Sequence, residues 1–277
     1  MIKRNGVEVM NERTVNVAIA KETLAILKKK EYTAPSGKVV NLSKEIDFAV
    51  QNTVIHEGDV DQITHIFYKD PVIEVTNETT SQAAVRLAKL GKTNIVALNF
   101  ASAKNPGGGF ISGALAQEED LCRASGLYVC TKSKPMFYNR NILCEDTFYT
   151  DDIIYSPNVP FFRDDHNIFL EEPYLLSIVS SPAPNIRSLT SEGLDSILDD
   201  VFTKRTMKIL EVASRHYHKN IVLGAWGCGA FGNDPKRVAA SFMKSLKEFP
   251  VFEHVCFAVY DTREPPVLYE TFKEICK

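Results

Sequence analysis

The sequence predicts an α/β protein with a three-layer α/β/α fold and a mixed central sheet. Three observations lead there. Short continuous apolar runs at 95–100, 221–226 and 255–260 read as strands buried on both faces. Helical patterns alternate with those strands from residue 71 onward, which favours helices on both sides of one sheet. The chain has 277 residues and shows no linker, repeat or low-complexity tract, so it reads as one large domain. Residues 71–277 read as its core, and 1–70 as an N-terminal helical extension packed on it.

Each element follows from its local pattern. Residues 12–31 read as an amphipathic helix: Val15, Ala18, Ile19, Ile26 and Leu27 recur near helical spacing, and lysines close the last turn. Residues 32–42 contain a Pro-Ser-Gly turn and read as a hairpin. Residues 45–55 and 59–68 show no clear pattern. Strand 72–75, helix 79–90 with Gly91 just past its end, and strand 95–100 read as a βαβ unit with parallel strands. A loop at 101–110 leads into a helix running through Glu118 to about residue 132. Residues 133–165 are rich in Pro, Asn and Asp and read as loop, with one short strand at 153–155. A strand at 174–180 follows. Helix 194–216 carries Leu194, Ile197, Leu198, Val201 and Phe202 on one face. After strand 221–226, Pro235 suits the first turn of the next helix, and a last helix starts near 267.

Composition removes several functions. No apolar stretch of about 18 residues predicts a membrane span, and the first residues hold no apolar secretory core. A cytoplasmic monomer is the expectation. The formal net charge is −3, which disfavours a nucleic acid held sequence-specifically on a basic stripe. A phosphate ligand held by backbone amides remains compatible with that charge. Six cysteines without a C-x-x-C pair read as reduced thiols. His216 and His218 point to different faces of a helix, and no Cys/His spacing fits zinc. No metal site and no cofactor are expected.

Two glycine loops carry the first chemical signal. Gly107, Gly108 and Gly109 follow one buried strand, and Gly227-x-Gly229-x-x-Gly232 follows another. In open α/β sheets ligands sit at the carboxyl ends of strands, where glycine lets backbone N–H groups approach phosphate oxygens. The second loop lacks the Rossmann context and no G-K-[ST] follows it, so it is neither a dinucleotide fingerprint nor a Walker loop. No G-x-S-x-G elbow is present, and Ser112 in GFISG has the wrong spacing.

Gln117, Glu118 and Glu119 open a helix just after the first loop. Acidic residues there often only complement the helix dipole. Beside a ligand loop they can do more. Hydrolysis at a ribose anomeric carbon needs an acid for the leaving oxygen and a carboxylate to steady positive charge and direct water. A partly buried glutamate would stay protonated near neutrality. Neighbouring Glu and Gln side chains could orient sugar hydroxyls.

At these residues the chain resembles the bacterial-type poly(ADP-ribose) glycohydrolases of the macrodomain superfamily. Gly107-Gly-Gly109, seven residues, then Gln117-Glu-Glu119 matches their GGG-x(6–8)-QEE motif. The resemblance extends to residues 18–24, 76–79, 155–164 and 224–233, nearly the whole chain. It implies a macrodomain-like fold and exo-type hydrolysis of the ribose–ribose O-glycosidic bond in poly(ADP-ribose), releasing ADP-ribose. It also implies Glu119 as acid/base and Glu118 as the glutamate that bonds the neighbouring sugar. Gly107, Gly108, Gly109 and Phe110 would face the distal ribose and diphosphate, with Asn105 near that ribose. Gly227, Cys228, Gly229 and Ala230 would hold the diphosphate, and Phe231 would cover the terminal ribose. Glu78 and Thr79 lie where macrodomains often contact adenosine. Other aromatic and polar residues have plainer readings: Trp226 as packing, Asn99 as a strand end that satisfies backbone groups, Tyr155 and Phe162 as core or site wall.

Two alternatives use the same loops. One is removal of mono-ADP-ribose from a modified protein or nucleic acid. The other is an ADP-ribose-binding module without catalysis, against which the Glu118–Glu119 pair argues. The expected partners are poly(ADP-ribose) and ADP-ribosylated macromolecules.

Overall fold

The computed structural model describes residues 11–58, 68, 71–187 and 194–277, and the backbone of 2–4 and 7–9. In chain order, β1 (Ile2–Arg4) and β2 (Val7–Val9) pair as a separate hairpin. Helix α1 (Glu12–Lys29) starts at Asn11, whose side chain accepts the Arg13 N–H, and ends on Lys28 and Lys29 as its dipole favours. The hairpin β3 (Glu31–Thr33) and β4 (Val39–Asn41) follows as the Pro-Ser-Gly turn predicts. The unclear stretch at 45–55 is helix α2 (Ser43–Asn52) and strand β5 (Val54–His56). The unassigned segment 59–67 lies outside the described residues.

Then come β6 (Val72–Thr76), α3 (Thr80–Lys89) and β7 (Ile95–Phe100). Thr79 and Gln82 close a reciprocal capping box at the start of α3. Next are α4 (Gln117–Ala124), α5 (Leu127–Lys132), α6 (Pro135–Leu143), β8 (Ile153–Arg163) and β9 (Phe169–Ser181). The chain finishes with α7 (Leu194–Arg215), β10 (Asn220–Gly224), α8 (Pro235–Glu248), β11 (His254–Ala258) and α9 (Val267–Ile275).

Seven strands form the central sheet in the order β5-β8-β9-β7-β10-β11-β6. The run from β9 to β6 is parallel, while β8 is antiparallel to both β9 and β5. The sheet is therefore mixed, and residues 54–56 of the N-terminal segment supply one edge. One face packs against α1 to α5 through Leu27, Ile46, Leu87, Leu121, Phe161 and Ile178. The other packs against α7, α8 and α9 through Phe202, Ile209, Phe242, Phe257 and Phe272. Each such side chain contributes about 2 kcal/mol by leaving water. Among the described residues no helix is long and apolar enough to cross a membrane, and all six cysteines are free thiols.

Several details differ from the sequence expectations, each for a physical reason. The buried stripe of α1 is Asn16, Ala20, Thr23, Ile26 and Leu27, while Ala18 is exposed. Polar anchoring rotates it: Thr23 Oγ1 donates to the Arg123 carbonyl at 2.8 Å and accepts from Arg163. Strands β6 and β7 are parallel but not neighbours, because β10 and β11 insert between them. The expected helix to residue 132 breaks at Ser125, which is extended and bridges to Phe161. Its hydroxyl then accepts the Leu127 N–H and starts α5. The supposed loop 133–165 holds α6, opened by Pro135, and the eleven-residue β8. A register shift between Ser156 and Val159, with Asn158 at φ 49°, hides β8 from any alternation pattern. Ile197 is half exposed rather than part of the buried face of α7. Strands β10 and β11 each end two residues before the expected position.

Candidate active site

The site lies at the carboxyl ends of β7, β10, β11 and β6, where an open parallel sheet presents its loops. A cavity of about 720 Å³ opens there, within the usual range for a small-molecule site. Residues from α1, α3, the turn at 164–167 and the loops after β7, β10 and β11 line it.

Helix α4 brings its first turn to this cavity without a side-chain cap at Ala116. Gln117 fixes its direction. Its Oε1 accepts the Phe100 N–H at 2.9 Å, and its Nε2 donates to the Leu98 carbonyl at 2.7 Å and Thr80 Oγ1 at 3.0 Å. Gln117 lines the cavity, yet its amide is committed to bracing β7, α3 and α4 against one another.

Glu118 and Glu119 are both buried, at 3% and 8% exposure. Glu118 Oε2 accepts the Ser102 N–H at 2.7 Å, and Oε1 accepts Asn99 Nδ2 at 3.3 Å. Burial pushes its carboxyl up to about 8, against the pull of those hydrogen bonds and with help from the Glu119 charge. Glu119 Oε1 accepts the Gly109 N–H at 2.7 Å, and its other oxygen has no hydrogen bond among the described residues.

The triple glycine wraps these carboxyls directly. Gly108 sits at φ +55°, and a Cβ there would lie 2.5 Å from Glu119 Oε1 and 3.0 Å from Glu118 Oε2. Only glycine lets the loop pass behind both groups. Asn105 shapes the turn: its carbonyl accepts the Gly108 N–H at 2.9 Å, and its side chain is exposed outside the cavity lining. Phe110 does not face the cavity. It is fully buried against the Tyr128 ring, 5.2 Å between centroids, because an apolar ring after the glycines anchors the loop in the core.

The second loop reaches the cavity through Gly227, Gly229, Ala230 and Phe231. Gly227 is at φ +74°, and a Cβ there would meet Asn233 Nδ2 at 2.5 Å. Asn233 closes the loop by donating to the carbonyls of Pro184 at 2.7 Å and Gly227 at 3.0 Å. Phe231 is half-buried with its ring 6.4 Å from Tyr149, so it walls the cavity from the core side. Cys228 packs against the core instead, and burial pushes its thiol up to about 12.

Glu78 and Thr79 also line the cavity. Thr79 Oγ1 donates to Asp165 at 2.9 Å and ties α3 to the turn between β8 and β9. Trp226 is fully buried with Nε1 donating to the Ser181 carbonyl at 2.9 Å, the packing role its sequence suggests. Tyr155 and Phe162 are core residues. Sequence reasoning missed Ser102, Asn16, Asn233, Tyr260 and the 164–167 turn. It placed Asn99 as a strand end, whereas Asn99 also holds Glu118. Position at a strand's carboxyl end was the available signal for Asn99 and Tyr260. Among the described residues no cluster of His, Cys, Asp or Glu could hold a metal ion.

The arrangement can deliver a proton, steady a cationic sugar carbon and hold a diphosphate on backbone N–H groups. The family model described as microbial-type PARG, catalytic domain, where PARG is poly(ADP-ribose) glycohydrolase, matches residues 20–164. The chain is similar to the poly(ADP-ribose) glycohydrolase of Thermomonospora curvata bound to the inhibitor ADP-HPD, with 41% identity and a TM-score of 0.86. That match covers 94% of this chain and 99% of the other. It is also similar to the poly(ADP-ribose) glycohydrolase of Deinococcus radiodurans in complex with ADP-ribose, with 38% identity, a TM-score of 0.72, and coverage of 83% and 96%. No curated protein sequence matches it.

Proposed function

The chain belongs to the microbial-type poly(ADP-ribose) glycohydrolases, and from that premise we propose that its Glu119 hydrolyses the terminal ribose–ribose O-glycosidic bond of poly(ADP-ribose). The observation that supports this most is the buried Glu118–Glu119 pair wrapped by the 107–109 loop at the head of a cavity lined by the 227–231 loop.

The chemistry follows from the two carboxyls. Glu119 gives its proton to the glycosidic oxygen as the bond from that oxygen to the anomeric carbon breaks, and the shortened polymer leaves with a free hydroxyl. Positive charge spreads over the anomeric carbon and ring oxygen, next to the Glu119 carboxylate. That carboxylate then takes a proton from water as the water oxygen bonds to the anomeric carbon. ADP-ribose is the product and Glu119 is again protonated. Glu118, raised to about 8, is largely protonated near neutrality. It therefore adds no second negative charge and can donate a hydrogen bond to a sugar oxygen while Ser102 and Asn99 hold it. The Gly109 N–H fixes Glu119 between the two proton transfers.

The diphosphate fits the loop after β10, where Gly227 and Gly229 face the cavity. Backbone dipoles, rather than a lysine patch, then carry the recognition of a polyanion by a protein of net charge −3. Products from a polymer of defined length test the reading. Wild type is expected to release ADP-ribose units without internal fragments. Glu119→Gln is expected to lose about 10³-fold or more in kcat and still bind ADP-ribose by calorimetry. Internal fragments would refute end-directed cleavage, and full activity in Glu119→Gln would refute the mechanism.

A further inference from the structure

The wall of the cavity is acidic. Among the described residues its lining includes Glu12, Glu78, Asp120, Asp164 and Asp165 besides the two site glutamates, and neither lysine nor arginine. Basic groups stand just outside it, around Phe231. The Phe231 ring is 6.4 Å from the Tyr149 ring, and the Lys104 ammonium lies over that second ring, 5.9 Å from its centroid. The Phe231 carbonyl accepts the Ile186 N–H at 3.1 Å, and Arg187 Nη1 donates to the Ala230 carbonyl at 3.3 Å. The Asn185 N–H donates to the Thr147 carbonyl at 2.9 Å and joins the two flanks. Lys104, the stretch 147–149, the stretch 185–187 and the tip of the second glycine loop thus form one rim. Both of its cations are exposed. The acidic neighbour Asp146 is turned to the backbone, where Oδ1 accepts the Phe148 and Tyr149 N–H groups at 2.9 and 3.2 Å. Tyr149 is held there at φ 65°, a costly conformation for an aromatic residue, so the place of its ring is imposed by its surroundings.

The rim shares a loop with the carboxyl site. Lys104 stands two residues after Ser102, whose N–H bonds Glu118, and four before Gly108, which wraps Glu119. Beyond the scissile bond the polymer continues with a ribose whose 5′ carbon carries the next diphosphate. Only that sugar separates the reacting oxygen from two further negative charges. The carboxyls of the cavity wall repel such a group, and the two cations of the rim attract it. We propose that Lys104 and Arg187 form a subsite for the diphosphate of the departing unit, with Tyr149 as the positioning residue that holds the Lys104 ammonium. Lysine supplies a point charge and arginine a fork of donors, and both suit phosphate oxygens. Such a subsite favours polymer over free ADP-ribose, the product. This rests on the reading that the cavity holds the terminal ADP-ribose unit.

Calorimetry in a Glu119→Gln background, where the glycosidic bond survives, compares ADP-ribose with a two-unit oligomer. The oligomer is expected to bind about tenfold more tightly, as two exposed ion pairs give. Its affinity should also fall more steeply with salt, by about 1.4 in log–log slope, for two phosphate contacts at about 0.7 each. Adding Lys104→Gln or Arg187→Gln should each remove about threefold of the preference and half of the slope difference, with ADP-ribose binding unchanged. Lys104→Arg should keep the preference. Tyr149→Leu should share the Lys104→Gln loss, while Tyr149→Phe keeps a ring under the ammonium and the preference with it. Equal weakening of both ligands in Lys104→Gln and Arg187→Gln would put the cations on the terminal unit's own diphosphate and overturn the subsite. Equal affinity of the two ligands before those substitutions, or a preference that survives them, would overturn it as well. A Tyr149→Leu variant with the full preference would overturn the positioning role. If wild type bound no ADP-ribose while still folded, the reading of the cavity would fall first, and the subsite with it.

Discussion

Replacing Glu118 with Gln should stabilise the protein while impairing it as an enzyme, and the gain should depend on pH. Native Glu118 is 3% exposed and holds its proton up to about pH 8, whereas the unfolded chain releases it near 4.5. Between those values the native state binds more protons than the unfolded state. Stability therefore falls as pH rises, by about 1.4 kcal/mol for each pH step of one. About 3 kcal/mol is lost by pH 7, and the loss levels off above pH 8. Gln carries no charge at any of these values. Its carbonyl can still accept the Ser102 N–H, and the Asn99 Oδ1, which has no partner among the described residues, can take the new amide after a flip. For a chain of this size 3 kcal/mol corresponds to about 6 °C in Tm. Thermal melts of wild type and Glu118→Gln at pH 5, 6, 7 and 8 read this directly. The difference should be small at pH 5 and grow to pH 8. An offset that stays constant or shrinks as pH rises would refute the argument that burial of this carboxyl destabilises the fold.

Gly108→Ala should lower kcat about 100-fold and also lower Tm, because the new Cβ meets Glu119 Oε1 at 2.5 Å and alanine is strained at φ +55°; a kinetic assay beside a melt checks both halves. His56, His216 and His218 are pushed down to about 4, first by burial, and for His56 also by Arg215 and Lys208. The native state stays neutral where the unfolded state is protonated, so their stability is lost as pH falls from 6.5 towards 4, the opposite sign to Glu118. A maximum in Tm between the two limbs is expected, and the acid limb should flatten in a His56→Gln, His216→Gln double variant. Binding of polymer should weaken with salt far less than for a basic nucleic-acid binder, whose slope counts neutralised phosphates; a steep log–log slope in a salt titration would contradict diphosphate recognition by backbone N–H groups.

What the sequence made legible had short-range causes. Buried strands such as β7 announce themselves by an unbroken apolar run, and α3 by a cap and a terminal glycine. The glycine loops and the Glu118–Glu119 pair were legible because backbone freedom and paired carboxyls are written in adjacent residues. What stayed hidden depends on distant partners. The bulge and prolines of β8 break its alternation, yet pairing with β9 holds it straight enough to be a strand. Phe110 carries no local mark that its ring turns inward to Tyr128. Likewise Gln117 looks like a ligand contact until the Leu98 carbonyl and Thr80 hydroxyl are found beside it. Nor do neighbouring residues show that burial pushes the Glu118 carboxyl up to about 8 while Ser102 and Asn99, 16 and 19 positions away, hydrogen-bond it.

The position of β7 has a consequence for how the chain is made. Its two neighbours are β9, ending at Ser181, and β10, ending at Gly224. Both lie beyond residue 164, where the family match stops. On the ribosome, β7 emerges with its apolar run and its glycine loop long before either neighbour exists. Translation must pass residue 224 before that strand can pair on both sides, so the GGG…QEE segment is not an inheritable module. A transplant of the matched stretch would carry Glu118 and Glu119 and leave behind both flanking strands and the 227–231 loop.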